Sequence, residues 1–149
     1  MHLSQKAQYA ICGVFDLAYN GGARPIQVRV IGERQRIPAR YLEQIFQSLR
    51  KARLVHAKRG PGGGYTLARP AAEITLRDVV EAVEGPLEER IGPGPPPLGR
   101  VAARPTFVWL RMASAVGGAL ERTSFESLCR EALRRSVPRA EAEGPMYHI

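Results

Sequence analysis

The sequence predicts a mainly α-helical fold with one small β-hairpin, followed by a long helix near the end of the chain. Apolar residues recur at helical spacing along most of the chain. A stretch rich in glycine and proline joins two short strand-like runs in the middle. The 149 residues are enough for an ordinary domain with a core of its own. These observations predict a fold of helices around a single hairpin.

The first three helices are predicted over residues 4–20, 28–35 and 38–53. Ser4 is placed to cap the first of them. The second and third are joined by a tight turn around Arg36-Ile37-Pro38. The third has an apolar stripe opposite a basic, polar face. Two helices in this arrangement are typical of a helix-turn-helix.

A β-hairpin is predicted directly after the third helix, with strands over 54–59 and 65–68. Its turn is Gly60-Pro61-Gly62-Gly63-Gly64, preceded by two cations, Lys58 and Arg59. Glycines allow close approach of a backbone to a ligand, and an arginine at such a tip can enter a narrow minor groove. Together with the preceding helices, the hairpin predicts a winged helix-turn-helix.

The second half of the sequence predicts three more helices and an irregular loop between the first two of them. Capping boxes are predicted at Thr75 and Thr123, and Pro105 opens a long helix to about Arg122. The predicted elements divide the chain into four segments. They are a winged helix-turn-helix domain over 1–85, a Gly/Pro-rich loop over 86–104, a dimerisation helix with a C-terminal helix over 105–137, and a tail over 138–149.

Charge and composition narrow the range of functions that the sequence predicts. The formal net charge is +8, and the basic residues concentrate between Arg29 and Arg69, which favours a polyanionic partner. No apolar run approaches the roughly 20 residues of a membrane span, and no signal peptide is visible, so we expect a soluble cytoplasmic protein without a membrane partner. The sequence offers no nucleophile–base pair, phosphate loop or metal motif, and we do not expect an enzyme.

The partner expected from these features is double-stranded DNA. Helix 38–53 is expected to lie in the major groove and the hairpin turn to contact phosphates and the minor groove. The predicted DNA-binding residues are Arg40, Tyr41, Glu43, Gln44, Gln47, Lys51, Lys58, Arg59, Gly60, Pro61, Gly62, Gly63, Gly64 and Tyr65. A winged-helix module for protein or RNA remains an alternative. Tyr41 could also belong to the core, and Glu43 could pair with Arg40 or Gln47.

Several of these motifs resemble the IscR/NsrR/CymR family of bacterial regulators over residues 1–85. They are Leu3-Ser4, Lys6, Tyr9, Tyr41-Leu42-Glu43-Gln44-Ile45-Phe46, Leu49-Arg50-Lys51, Leu54-Val55, Arg59-Gly60-Pro61-Gly62-Gly63-Gly64-Tyr65, Ile74-Thr75-Leu76 and Val83-Glu84-Gly85. The resemblance implies a homodimeric repressor or activator on inverted-repeat operators, with base contacts from Glu43 and Arg59; we favour a repressor.

The long helix is expected to hold the dimer, because its apolar stripe is more than so small a domain can bury alone. The predicted interface residues are Trp109, Met112, Ala113, Val116 and Leu120.

The family usually has a glycine in the turn before the third helix, where this chain has Arg36, so the resemblance implies a left-handed backbone at Arg36 or a different turn.

The chain also departs from the family in its cysteines. Many members bind an iron–sulfur cluster through cysteines in the loop after the fourth helix, but residues 86–105 contain neither cysteine nor histidine. We therefore expect no cofactor and no metal, with cluster binding through non-standard ligands as an alternative. Cys12 and Cys129 are candidate redox thiols, and Arg130 and Arg134 could lower the pKa of Cys129. A small-molecule effector or a partner protein could also supply the signal that regulates DNA binding.

Overall fold

A computed structural model of the protein describes residues 2–92 and 103–140. In these ranges the helices are α1 (Gln5–Asn20), α2 (Val28–Gln35), α3 (Ala39–Lys51), α4 (Leu76–Glu84), α5 (Leu87–Arg90), α6 (Phe107–Glu121) and α7 (Phe125–Arg134), with a 3-10 turn at Ala71–Glu73. Strands β1 (Val55–Lys58) and β2 (Gly64–Leu67) pair antiparallel. The predicted mainly α fold with one hairpin is confirmed.

Local capping signals explain where several helices begin. The Ser4 hydroxyl accepts the Ala7 amide at 3.1 Å, as predicted for α1. At α4, Thr75 and Asp78 form a reciprocal capping box, also as predicted. The prediction for Thr123 was wrong: Ser124 caps α7 by accepting the Ser127 amide at 3.1 Å.

The predicted loop and tail are more ordered than expected where the structure describes them. Residues 87–90 form the short helix α5, which the prediction of an irregular loop over 86–104 missed. The Tyr19 hydroxyl donates to the Val137 carbonyl at 2.7 Å, and the Ala140 amide donates to Asn20 Oδ1 at 2.8 Å. The start of the predicted tail is therefore bound along α1. The rest of both segments, 93–102 and 141–149, lies outside the described residues.

One hydrophobic core unites the two halves of the described chain. Phe46 of α3 and Phe125 of α7 are its largest side chains, and both are fully buried. The Phe125 amide donates to the Ile74 carbonyl at 2.9 Å, which holds the start of α7 beside the start of α4. The predicted boundary at residue 85 therefore does not separate two cores. No helix in the described ranges is both long enough and apolar enough to cross a bilayer.

Three helices end in the same left-handed motif without glycine. Arg36, Arg53 and Ser136 have φ values of 55°, 61° and 57° after α2, α3 and α7. In each case the next amide donates back to a carbonyl five residues earlier, at 2.9 to 3.0 Å. For Arg36, the predicted left-handed conformation is confirmed. The motif turns the chain sharply from α2 into α3 and from α3 into β1.

A buried carboxylate joins α1 to α2. Asp16 is 0% exposed, and its two oxygens accept bonds from Arg34 Nη2 at 2.6 Å and Arg34 Nε at 3.1 Å. Gln35 Nε2 donates a third bond at 3.0 Å. A buried charge needs such partners, because burial removes its hydration. The arrangement fixes α2, and hence the helix-turn-helix, against the first helix.

A single arginine connects α4, α5 and α6. Arg77 Nε donates to Glu81 of its own helix at 2.8 Å, and Nη2 donates to Glu88 of α5 at 3.0 Å. Its Nη1 lies 3.7 Å from Glu121 of α6. The guanidinium lies against Gly117 of α6, where an added Cβ would come within 2.7 Å of Nη1. Arg77 thus fixes α6 relative to the winged unit.

We predict that Asp16→Asn destabilises the protein by about 2 to 3 kcal/mol, because the Arg34 guanidinium loses the carboxylate that compensates its charge. Urea unfolding followed by circular dichroism would measure the change. Glu33→Gln is the matched control, since it breaks the exposed Arg29–Glu33 pair of α2 and should cost less than about 1 kcal/mol. Equal losses in the two variants would contradict a structural role specific to Asp16.

Candidate nucleic-acid interface

Helix α3 presents a polar face to solvent opposite a buried stripe. Leu42, Ile45, Phe46 and Leu49 are all buried against the core. We call the opposite side the outer face of α3. It consists of the exposed residues Arg40, Tyr41, Glu43, Gln44, Gln47 and Lys51. All six were predicted as DNA-binding residues, and the structure brings them together on one accessible surface.

Arg40 and Tyr41 contact each other on the outer face. Arg40 Nη2 donates to the Tyr41 hydroxyl at 3.2 Å, and its guanidinium carbon lies 5.0 Å from the centre of the Tyr41 ring. Tyr41 is 45% exposed, so it is a surface residue and not part of the core. The pairing leaves the Arg40 guanidinium in solvent and free of any carboxylate in the described ranges.

The wing, residues 55–67, is attached to the start of α2 by backbone hydrogen bonds. Ile26 and Tyr65 exchange two of them, at 3.0 and 2.8 Å. The ring of Tyr65 lies 4.8 Å from that of Phe46, centre to centre. A Cβ on Gly64 would come within 2.4 Å of the Ile26 backbone. Gly64 and Tyr65, both predicted as DNA-binding residues, thus hold the wing in place.

The tip of the wing is exposed and glycine-dependent. Gly60 and Gly62 have φ values of 89° and 71°, in the region that favours glycine, and nothing lies near the position of an added Cβ. Lys58, Arg59 and Pro61 are exposed beside them. Gly63 differs: it is buried, and its amide donates to the Gly60 carbonyl at 2.9 Å. The Gly63 amide is therefore engaged in a hydrogen bond within the turn.

Several cations at this surface have no carboxylate partner among the described residues, whereas other arginines are paired. Among the described residues, Arg29, Arg34, Arg69, Arg77, Arg90, Arg130 and Arg135 form ion pairs with carboxylates. No such pair within those ranges involves Arg40, Lys51, Lys58, Arg59 or the carboxylate of Glu43. The alternative in which Glu43 pairs with Arg40 or Gln47 is absent there. These charges are available to a ligand.

A solvent-open groove lies between α3, the wing and the start of α2. We call it the central groove; its lining residues are Gln27, Val28, Glu43, Gln47, Gly64 and Tyr65. Glu43 and Gln47 belong to the outer face of α3, and Gly64 and Tyr65 belong to the wing. The two predicted DNA-binding elements therefore border one depression. Gln27 was not predicted, and no local sequence pattern marks it.

Helix α6 carries a large exposed apolar surface. Phe107 and Leu110 are 63% and 66% exposed, although neither was predicted as an interface residue. Trp109 and Met112, which were predicted, are 38% and 36% exposed. Val116 and Leu120 are half-buried. Ala113 is only 1% exposed, because it faces the protein's own core, and it is removed from the predicted interface.

The two cysteines lie in partly buried positions. Burial raises the pKa of the Cys12 thiol. Burial also raises the pKa of Cys129, against a lowering by the nearby Arg139 guanidinium. The prediction that Arg130 and Arg134 would lower the pKa of Cys129 was wrong; Arg130 pairs with Glu126. A raised pKa disfavours the reactive thiolate at neutral pH.

The donor groups do not fit an iron–sulfur cluster held by protein thiolates. The whole chain has two cysteines, and they lie on different helices, α1 and α7. Within residues 2–92 and 103–140, no three His, Cys, Asp or Glu side chains are grouped to hold a metal ion. Thiolates are the usual ligands of such clusters. These residues therefore do not support a function that depends on such a cluster.

A hairpin wing following a helix-turn-helix, with unpaired cations on both, defines a winged-helix transcription regulator. The profile of the Rrf2 family, described as iron-dependent transcriptional regulators, matches residues 3–131. The chain belongs to this family, which confirms the resemblance seen in the sequence. This family is one of transcription regulators and not of enzymes.

Curated relatives match a little over half of the chain. The HTH-type transcriptional regulator IscR of Escherichia coli is 45% identical over 84 residues, which are 56% of this chain and 52% of that protein. An HTH-type regulator of Neisseria meningitidis is 44% identical over 88 residues, 59% of this chain and 60% of that one. The alignments therefore span only about half to three-fifths of these relatives.

Solved structures extend the similarity to nearly the whole chain. CymR, the global cysteine regulator of B. subtilis, matches with a TM-score of 0.73 at 29% identity, over 88% of this chain and 98% of that one. T. potens IscR matches with a TM-score of 0.74 at 30% identity, over 99% and 97%. The second half of the chain thus follows the same fold as these regulators.

We predict that Gly64→Ala destabilises the protein more than Gly62→Ala. Both substitutions place a side chain at positive φ, which costs about 1 to 2 kcal/mol. Only the Gly64 variant also forces a Cβ into the Ile26 backbone, so the wing must move away from α2. Thermal unfolding of both variants measures the difference. Equal shifts in Tm would mean that the wing does not depend on this close contact.

Proposed function

We propose that this regulator binds a specific duplex DNA sequence, with α3 in the major groove and the wing tip in the adjacent minor groove. The observation that carries the proposal is the set of unpaired cations shared by the outer face of α3 and the wing. Exposed cations without carboxylate partners attract phosphates and release their counterions on binding. Their position beside the central groove supports a single continuous contact surface.

The presence of Glu43 on this surface supports sequence-specific DNA binding over binding by electrostatic attraction to the backbone alone. A carboxylate without a cationic partner repels phosphate, so an interface for the backbone alone would not carry it at its centre. It can instead accept a hydrogen bond from a cytosine amine in the major groove. Arg40, Gln44 and Gln47 supply donors on either side, while Lys51 and Lys58 are placed for phosphates. Arg59 at the wing tip has the charge and reach for a narrow minor groove.

We further propose a homodimer formed through α6, with an inverted-repeat operator as its target. The exposed surface of Phe107, Trp109, Leu110 and Met112 is the support for this step, because monomeric proteins rarely leave such an apolar cluster in water. A twofold dimer presents two identical winged units, and a palindromic site matches that symmetry.

The proposed mode of regulation is repression by a cytoplasmic protein that uses neither a cluster nor another cofactor. Its donor groups lack the thiolates of a cluster site, and burial raises the pKa of both thiols. A small-molecule effector or a partner protein then supplies the signal. Occupation of a promoter by the dimer would exclude RNA polymerase.

We predict that Arg59→Ala weakens binding to a selected operator about tenfold or more, with a smaller loss on random duplex DNA, because a base-edge or groove-shape contact is lost in addition to a charge. Fluorescence anisotropy with both duplexes, at two salt concentrations, measures this. Arg135→Ala, at the C-cap of α7, removes the same charge away from the central groove and serves as the control.

Two outcomes would contradict this interpretation of Arg59. Equal losses on operator and random DNA would make it a phosphate contact. Tighter binding of the wild-type protein to RNA than to duplex DNA would favour an RNA-interaction module instead.

We predict that Leu110→Glu converts the dimer into a folded monomer, because a carboxylate would be buried in the apolar contact between two α6 helices. Light scattering at micromolar concentration measures the mass, and circular dichroism verifies the fold. Leu133→Glu on α7 is the matched control, since Leu133 is also exposed, at 51%. A monomeric wild-type protein, or a dimeric Leu110→Glu variant, would refute the α6 interface.

A further inference from the structure

Gln27 occupies a position where its side chain is free and its backbone is fixed. It is the N-cap residue of α2, yet its side chain makes no capping hydrogen bond. Its carbonyl accepts the amides of Val30 and Ile31 at 3.0 and 3.2 Å. The side chain is exposed and lines the central groove. The main chain is therefore engaged while the carboxamide remains available.

The neighbours of Gln27 fix its backbone between the wing and the hydrophobic core. On one side, Ile26 is joined by two backbone hydrogen bonds to Tyr65 of the wing. On the other side, Val28 is only 8% exposed and anchors α2 in the core. Because these neighbours already fix the backbone of Gln27, binding of a ligand by its side chain costs little additional backbone entropy.

The chemistry of the central groove favours base edges over phosphates. Its exposed polar side chains are two carboxamides, Gln27 and Gln47, and one carboxylate, Glu43. None of the three forms a side-chain hydrogen bond with another residue of the described ranges. No cation lines the groove, and the carboxylate repels phosphate oxygens. A carboxamide both donates and accepts, and glutamine can bond adenine through N6 and N7 together.

We propose that Gln27 is a specificity-determining residue whose carboxamide contacts a base edge next to those reached by Glu43 and Gln47. The proposal rests on the proposed DNA-binding function and extends it, because it assigns sequence recognition to the helix preceding the recognition helix. The contacted surface then includes at least one base pair beyond the reach of α3, on the side where the wing joins α2.

The test combines protein and DNA substitutions. An operator is selected by the wild-type protein from a randomised duplex pool, and each base pair of one half-site is then replaced in turn. Affinities are measured for the wild type, Gln27→Ala and Gln8→Ala, where Gln8 is an exposed glutamine of α1 outside the groove. We expect Gln27→Ala to lose about tenfold discrimination at one position of the half-site. Discrimination at all other positions, and at every position for Gln8→Ala, should persist.

The outcomes separate this inference from the proposed function. If the wild-type protein selects no sequence, the proposed function fails. If the wild type discriminates and Gln27→Ala discriminates equally at every position, the role of Gln27 alone is refuted. A uniform loss of affinity on all duplexes would also refute it, since that pattern belongs to a phosphate contact. Circular dichroism and Tm of the variant verify that α2 is intact.

Discussion

The two backbone hydrogen bonds between Ile26 and Tyr65 are the constraint on which the functional surface depends. A two-stranded hairpin is marginally stable by itself, so the wing needs an external attachment. Ile26, the residue before the N-cap of α2, provides this attachment. Gly64 permits the close approach of the two backbones because it has no Cβ. The same contact defines one wall of the central groove. The position of the wing tip relative to α3 therefore depends on this pairing between β2 and the residue before the N-cap of α2.

Two sets of charges among the described residues have different tasks. Inside the fold, arginines are neutralised where they join elements: Arg34 meets Asp16 between α1 and α2, and Arg77 meets carboxylates of α4, α5 and α6. On the outer face of α3 and the wing tip, the described cations have no carboxylate partner. Paired charges fix the relative positions of helices but produce little net electrostatic field. Unpaired charges of one sign extend their field into solvent.

The elements predictable from sequence were those specified by nearby residues. The capping box at Thr75 and the left-handed turn at Arg36 depend on four or five neighbours, and both predictions were confirmed. Ser124 was missed because Thr123 is also a capping residue. Ala113 was misassigned because α6 is apolar on most sides, so periodicity does not distinguish core from exposed surface. Gln27 could not be found, since its groove is formed by segments that meet only in three dimensions.

The contacts of α1 with the end of the described chain have a consequence for biosynthesis. Phe125 completes the core, and the Tyr19 hydroxyl and Asn20 side chain find their partners only at Val137 and Ala140. Helix α1 therefore keeps part of its surface uncovered during synthesis until the chain has been made as far as residue 140. The nascent winged unit would be incomplete during that interval, so a truncated translation product would lack a finished core and be exposed to proteases.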